Sequence, residues 1–166
     1  FYAREHPALA YCQGMNYLAG YCLLKCGEEH RAYAAFSWVM ERYFWPVFAD
    51  SFSKMRGQLY VFDRLLAIFH PDLSDHFRRE MIAPECFAVG WIITAFTSCY
   101  QYTRTSFLVD WFWARFLLWG WREFYRLAMW LLHLNRVTLP LLRRRSWPPA
   151  TTGVCRSWGR SPSPRS

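Results

Sequence analysis

The chain has no C-x-x-C pair among its six cysteines, Cys12, Cys22, Cys26, Cys86, Cys99 and Cys155, and its five histidines are scattered without metal-ligand spacing. That composition excludes a zinc module or a disulfide framework as the organising device and suits a reducing, cytoplasmic setting. Cys22 and Cys26 stand one helical turn apart, a spacing that serves two small buried apolar residues. No run alternates apolar and polar residues over strand length, so a sheet has no material. No basic, apolar, small-residue leader opens the chain, which starts at Phe1 and reads as a fragment rather than a secreted precursor.

A clean membrane span is also lacking. Two stretches, Pro7 to Leu24 and Cys86 to Thr103, carry few or no charges, and an aromatic-rich membrane-embedded protein is one class they raise. However, the first contains Gln13, Gly14 and Asn16 and the second Gly90, Thr94, Thr97, Ser98 and Gln101. Lipid would leave such groups unsatisfied, and the mean hydropathy is only −0.07. Both read as buried core helices.

Acidic residues are missing from the end of the chain. The net charge of +8 comes mostly from Arg143, Arg144, Arg145, Arg156, Arg160 and Arg165, while residues 1–142 hold 14 basic against 12 acidic groups. A nucleic-acid surface needs its cations on a folded face beside exposed stacking aromatics, and the body shows no such stripe. Residues 143–166 are too poor in apolar groups to repay ordering and are expected to be a disordered Arg/Ser/Pro-rich tail.

What the chain has is apolar helical periodicity over 166 residues that are 54% hydrophobic, enough for one domain over residues 1–142. Met15, Leu18, Ala19, Cys22 and Leu23 predict a helix from Gly14 to Leu24 that stops at Gly27. Ala32, Ala35, Phe36, Val39, Met40 and Tyr43 predict a second, with Glu28 and Glu29 in its first turn and Pro46 as its end. Leu59, Phe62, Leu65, Leu66 and Phe69 predict a third, from about Lys54 to the His70-Pro71 break, followed by a short one over Leu73 to Met81. Pro84 opens a fifth with Phe87, Trp91 and Thr94 or Ala95 inward. After a loop over Tyr100 to Thr105, two more run from Ser106 to Leu118 and Trp121 to Leu134, hinged at Gly120. The expected fold is all-α, an irregular antiparallel helical bundle.

Tyr11-Cys12-Gln13-Gly14-Met15-Asn16 places a glutamine and a glycine in one tight turn at a helix start. Further along stand Phe62-Asp63-Arg64-Leu65-Leu66, then Pro71-Asp72-Leu73-Ser74-Asp75-His76-Phe77, then Trp91, and finally Phe116-Leu117-Leu118-Trp119-Gly120-Trp121-Arg122-Glu123-Phe124-Tyr125-Arg126-Leu127-Ala128. In that order they resemble the TBC domain of Rab GTPase-activating proteins, whose signature Y-x-Q-G-M-N the first hexamer follows. The likeness extends from Tyr2 to about Leu142 and implies a partial TBC fold.

The resemblance implies that the chain accelerates GTP hydrolysis by a Rab-type small GTPase, in vesicle trafficking, from a cytoplasmic and endomembrane-peripheral position. It assigns Gln13 to orienting the attacking water, with Tyr11, Gly14, Met15 and Asn16 supporting the loop or meeting the partner. GTP and Mg²⁺ would belong to the partner, and no cofactor or metal to this chain. A glutamine amide suits the task, because its carbonyl accepts from water while its NH₂ donates elsewhere. On spacing alone a glutamine before a glycine at a helix start is a polar turn residue, and Asn16 a local brace. The family's arginine finger lies in an I-x-x-D-x-x-R motif upstream of the turn. This sequence holds no such motif, and Arg4 is too near the turn to match it. An arginine finger carries about 10³–10⁵ in rate, so the isolated chain is expected to be a poor activator even with Gln13 well placed. Ala114 also departs from the family, which has a carboxylate there for helix anchoring or partner contact. The alternative reading is a non-catalytic TBC-like interaction module.

Overall fold

The computed structural model describes residues 2–7, 9, 11–49, 52–101 and 106–142. These residues contain helices and no strand, so the all-α expectation holds. The expectation of a disordered tail falls on residues 143–166, outside the described residues.

The helices in chain order are α1 (Tyr2–Glu5), α2 (Met15–Cys26), α3 (Glu29–Val39), α4 (Trp45–Phe48), α5 (Ser53–Phe69), α6 (Pro71–Arg79), α7 (Glu85–Thr94), α8 (Ser106–Trp119) and α9 (Trp121–Leu142). A π-helical turn, Met40–Phe44, joins α3 to α4, and a 3₁₀ turn, Thr97–Gln101, follows α7. Successive helices pack as hairpins, α2 on α3, α5 on α6 and α8 on α9, while α7 lies against both α2 and α5.

The stops follow local chemistry. Gly27, at φ 72°, takes the left-handed cap of α2 and donates its N–H to Leu23 O at 2.9 Å. His70 ends α5 by donating to Leu66 O, and its carbonyl then accepts from Leu73 and Ser74 to open α6. Pro71 sits in the first turn of α6, where a missing N–H costs nothing. Gly120, at φ 59°, turns α8 into α9. A Cβ there would lie 3.3 Å from Tyr43 Cε1.

Pro46 does not end the second helix. It occupies the first turn of α4, and the chain reaches it through the π turn, whose wider i→i−5 bond from Trp45 N–H to Met40 O keeps the coil running. The pyrrolidine ring is accommodated by loosening the preceding turn rather than by breaking the helix. The inward face of α7 is displaced in its first part, where Ala88 and Ile92 are buried and Phe87 and Trp91 half-buried, while Thr94 and Ala95 at its end are buried as expected. Leu23 and Phe69, expected inside, are exposed. The short α1 was not foreseen, and a 3₁₀ turn occupies 97–101 where the loop was expected to begin.

The core is aromatic. Phe44, Phe62, Phe112, Phe116 and Phe124 are fully buried together with Leu18, Leu66 and Ile92. Phe96 stacks on Phe124 at 5.1 Å between ring centres and meets Phe112 edge-on at 5.3 Å. Such pairs add about 0.5–1.5 kcal/mol beyond the area they bury, and here they lock α8 and α9 under the end of α7. Two polar ties reinforce the helix pairs. Asp110 on α8 accepts from Tyr21 Oη at 2.9 Å and from Lys25 Nζ at 2.7 Å, both on α2. Glu123, near the start of α9, is buried and held by Arg115 from α8 (Nε to Oε2 3.0 Å, Nη2 to Oε1 3.3 Å) and by Arg126 (2.9 Å).

Candidate functional site

The turn before α2 carries its glutamine outward. Met15 N–H donates to Cys12 O at 3.2 Å, closing a tight turn with Gln13 and Gly14 at its corner. Gln13 is solvent-exposed, whereas Gly14 and Met15 on either side of the helix start are buried. Met15 is only 4% exposed and leads into the fully buried Leu18, so the root of α2 is fixed in the core while the glutamine projects from it.

Gly14 is required here for two reasons. Its φ of 111° lies in a region that L side chains rarely adopt. In addition, a Cβ at this position would come 3.0 Å from Ile93 Cγ1 and 3.1 Å from Ile93 Cδ1, so the backbone of the turn lies directly on α7. The corner is thus both bent and seated.

Asn16 braces the corner from the helix side. Its Oδ1 accepts from Gly14 N–H at 3.3 Å and lies 3.5 Å from Tyr11 Oη. One of the N-terminal amides that a helix cannot satisfy internally thereby finds a partner. Tyr11 is 63% exposed, so it does not pack the loop onto the core as a buried anchor would; it presents a large aromatic surface beside Gln13. Cys12, on the other side, is half-buried, and burial pushes its thiol up, which keeps it protonated and poor as a nucleophile. The first turn of α2 has no acidic residue to offset the positive end of the helix.

The five residues singled out in sequence therefore meet at one corner: Gln13 outermost, Gly14 and Met15 beneath, Asn16 and Tyr11 at the flank. Sequence reasoning missed Ile93, which supplies the seat. It also missed the Arg115–Glu123–Arg126 triad, in which the Arg115 guanidinium holds the Glu123 carboxyl below its ordinary value. Arg4 lies exposed on α1. Ala114, where a carboxylate was expected, is exposed between turns whose anchoring falls to the buried Phe112 and Trp113 and to Asp110 one turn earlier.

A cavity of about 960 Å³ lies elsewhere, lined by Leu65 and Phe69 of α5, Phe107 and Trp111 of α8, and Tyr125 and Trp130 of α9 among others. No residue of the Gln13 corner borders it. The charged residues that do include Glu123 and Arg126, which are spent on each other. Among the described residues no group of three or more His, Cys, Asp or Glu could hold a metal ion, and no helix is long and apolar enough to cross a membrane. The Gln13 amide faces solvent, away from that cavity.

Comparison with known proteins gives the same region a family. The sequence profile of the Rab-GTPase-TBC domain matches residues 1–139. The human TBC domain-containing protein kinase-like protein is 31% identical over 108 residues, covering 64% of this chain and 12% of its own length. TBC1 domain family member 1 of Bos taurus is 30% identical over 101 residues (58% and 8%), and the GTPase-activating protein GYP5 of Saccharomyces cerevisiae is 30% identical over 96 residues (57% and 11%). The chain spans about a tenth of the length of these relatives. No solved structure matches it.

Proposed function

The chain belongs to the Rab-GTPase-TBC domain family, and from that premise we propose that it promotes GTP hydrolysis by a Rab-type small GTPase, with Gln13 as the side chain that orients the attacking water. The observation that carries the reading is the exposed Gln13 on a corner seated from its helix side: Gly14 against Ile93, Met15 in the core, Asn16 bonded back to Gly14.

Hydrolysis of a phosphoanhydride passes through a transition state in which little covalent chemistry is left to the protein. What accelerates it is placing the water in line with the bond that breaks and stabilising charge on the phosphoryl oxygens. A carboxamide accepts a hydrogen bond from the water through Oε1 and donates one through Nε2 to a phosphoryl oxygen or a backbone carbonyl, and neither role depends on pH. GTP and Mg²⁺ come with the partner. The uncompensated N-terminal end of α2, just behind Gln13, tolerates an approaching polyanion. Tyr11, exposed beside Gln13, is the contact through which the partner meets the corner. The site of action is the cytoplasmic face of an endomembrane, reached peripherally, in the control of vesicle trafficking.

The test is phosphate release from a panel of GTP-loaded Rab proteins under single turnover, with the parent protein that contains this chain. Faster release from at least one Rab is expected. Binding to a Rab with no acceleration would instead favour the non-catalytic interaction module, and it would remove the role given to Gln13.

A further inference from the structure

The end of α7 is built in a way that the packing of a helix does not require. After Thr94 the chain passes through two consecutive non-glycine residues in the left-handed region, Ala95 at φ 42° and Phe96 at φ 63°. Such residues are held only where the surroundings over-determine them, and they concentrate where geometry has to be fixed. The surroundings here do so. Trp113 Nε1–H donates to Ala95 O at 3.1 Å, Thr97 Oγ1 donates to Thr94 O at 2.6 Å, and Thr94 Oγ1 donates to Gly90 O at 2.7 Å. Phe96 is 3% exposed, clamped by Phe112, Phe124 and Trp91.

Ile93 lies two residues before this locked turn, and its side chain is the surface on which Gly14 rests, 3.0 Å from the place a Cβ would take. We propose that Ile93 is a positioning residue for Gln13: the strained Ala95–Phe96 turn fixes the height and rotation of the last turn of α7, and Ile93 transmits that placement across 79 positions of sequence to the Gln13 corner. The consequence for hydrolysis rests on the proposed role of Gln13; the mechanical coupling does not. A glutamine on an unseated turn still reaches solvent, but it samples many directions, and misplacement by about 1 Å costs on the order of 10²-fold in rate.

The coupling is read by ¹⁵N relaxation of the full 166-residue chain with no GTPase present. In the parent sequence the Gln13 and Gly14 amides are expected to be as rigid as mid-α3, with order parameters of about 0.85, and in Ile93→Ala to fall below about 0.6 while α3 and α9 keep theirs. Ile93→Val, which keeps a branched side chain under Gly14, is expected to restore most of the order. Trp113→Phe is a second route that does not hollow the Ile93–Gly14 contact: it removes the donor that holds Ala95 O, and it is expected to loosen Gln13 while α3 keeps its order. Unchanged order at Gln13 in Ile93→Ala, or in Trp113→Phe should the first variant not fold, overturns the proposal. Loss of order at Gln13 with no loss of Rab-stimulated hydrolysis supports the platform and instead sinks the catalytic role of Gln13, so the two failures are told apart.

Discussion

Replacing Gly14 by alanine separates backbone strain from crowding at the corner that carries Gln13. The backbone sits at φ 111° and ψ −30°, well outside the left-handed helical well, so an alanine there has no relaxed conformation to fall back on. That strain costs about 1–3 kcal/mol. The added methyl meets Ile93 Cγ1 at 3.0 Å, Cδ1 at 3.1 Å and Cβ at 3.3 Å, distances the neighbour relieves by giving a few tenths of an ångström. Crowding of this kind adds about 1 kcal/mol, so strain is the larger contribution and the total is about 2–4 kcal/mol. Against a stability of roughly 5–15 kcal/mol, such a loss is easily measured. Urea unfolding followed by circular dichroism gives the midpoint shift at constant slope. Repeating the substitution in an Ile93→Ala background removes the Cγ1 and Cδ1 contacts and leaves the strain. The double-mutant cycle is therefore expected to show about 1 kcal/mol of coupling with most of the loss retained. A Gly14→Ala chain within about 0.5 kcal/mol of the parent would refute both the strained corner and its seat on α7.

Two further substitutions address the frame. The Glu123 carboxyl, held low chiefly by its hydrogen bonds from Arg115, binds fewer protons folded than unfolded. Its contribution is therefore complete above the unfolded value near 4.5 and disappears as pH falls through the lower folded value. Melting temperature between about pH 2.5 and 7 is expected to drop at the acid end, and Glu123→Gln to flatten that drop; an unchanged slope argues against the triad. Trp113→Phe keeps a ring but removes the donor to Ala95 O, leaving a buried carbonyl unpaired at about 1–3 kcal/mol, measurable as a lowered urea midpoint and contradicted by an unchanged one.

Most of the bundle could be read from the sequence because its helices are one-sided. Ala32, Phe36, Val39, Met40 and Tyr43 are apolar on one face only, and all five are buried. The α7 segment offers no such contrast: from Phe87 to Ile93 every position is apolar or glycine, so its period cannot say which face turns inward, and the reading fell one residue away from Ala88 and Ile92. Pro46 misled because the rule that proline ends a helix assumes an α-helical turn before it, and a π turn changes the carbonyl it would strike. At the candidate site, the corner itself was legible in the Gln13-Gly14 pair. Its support was not, since the Ile93 contact joins residues far apart in sequence through nothing but shape. Arg126 lies three residues from Glu123, within a local pattern, but Arg115 reaches it across the Gly120 turn, whose angle no spacing encodes.

The central claim is that one exposed carboxamide, held still by the scaffold beneath it, places a water on a partner's GTP. The most direct measurement compares single-turnover GTP hydrolysis by a responsive Rab with the parent protein and with its Gln13→Ala variant, alongside the affinity of each for that Rab. A fall of about 10²-fold in the hydrolysis rate with affinity held within a few-fold is the expected result. Equal rates in the two proteins would contradict it.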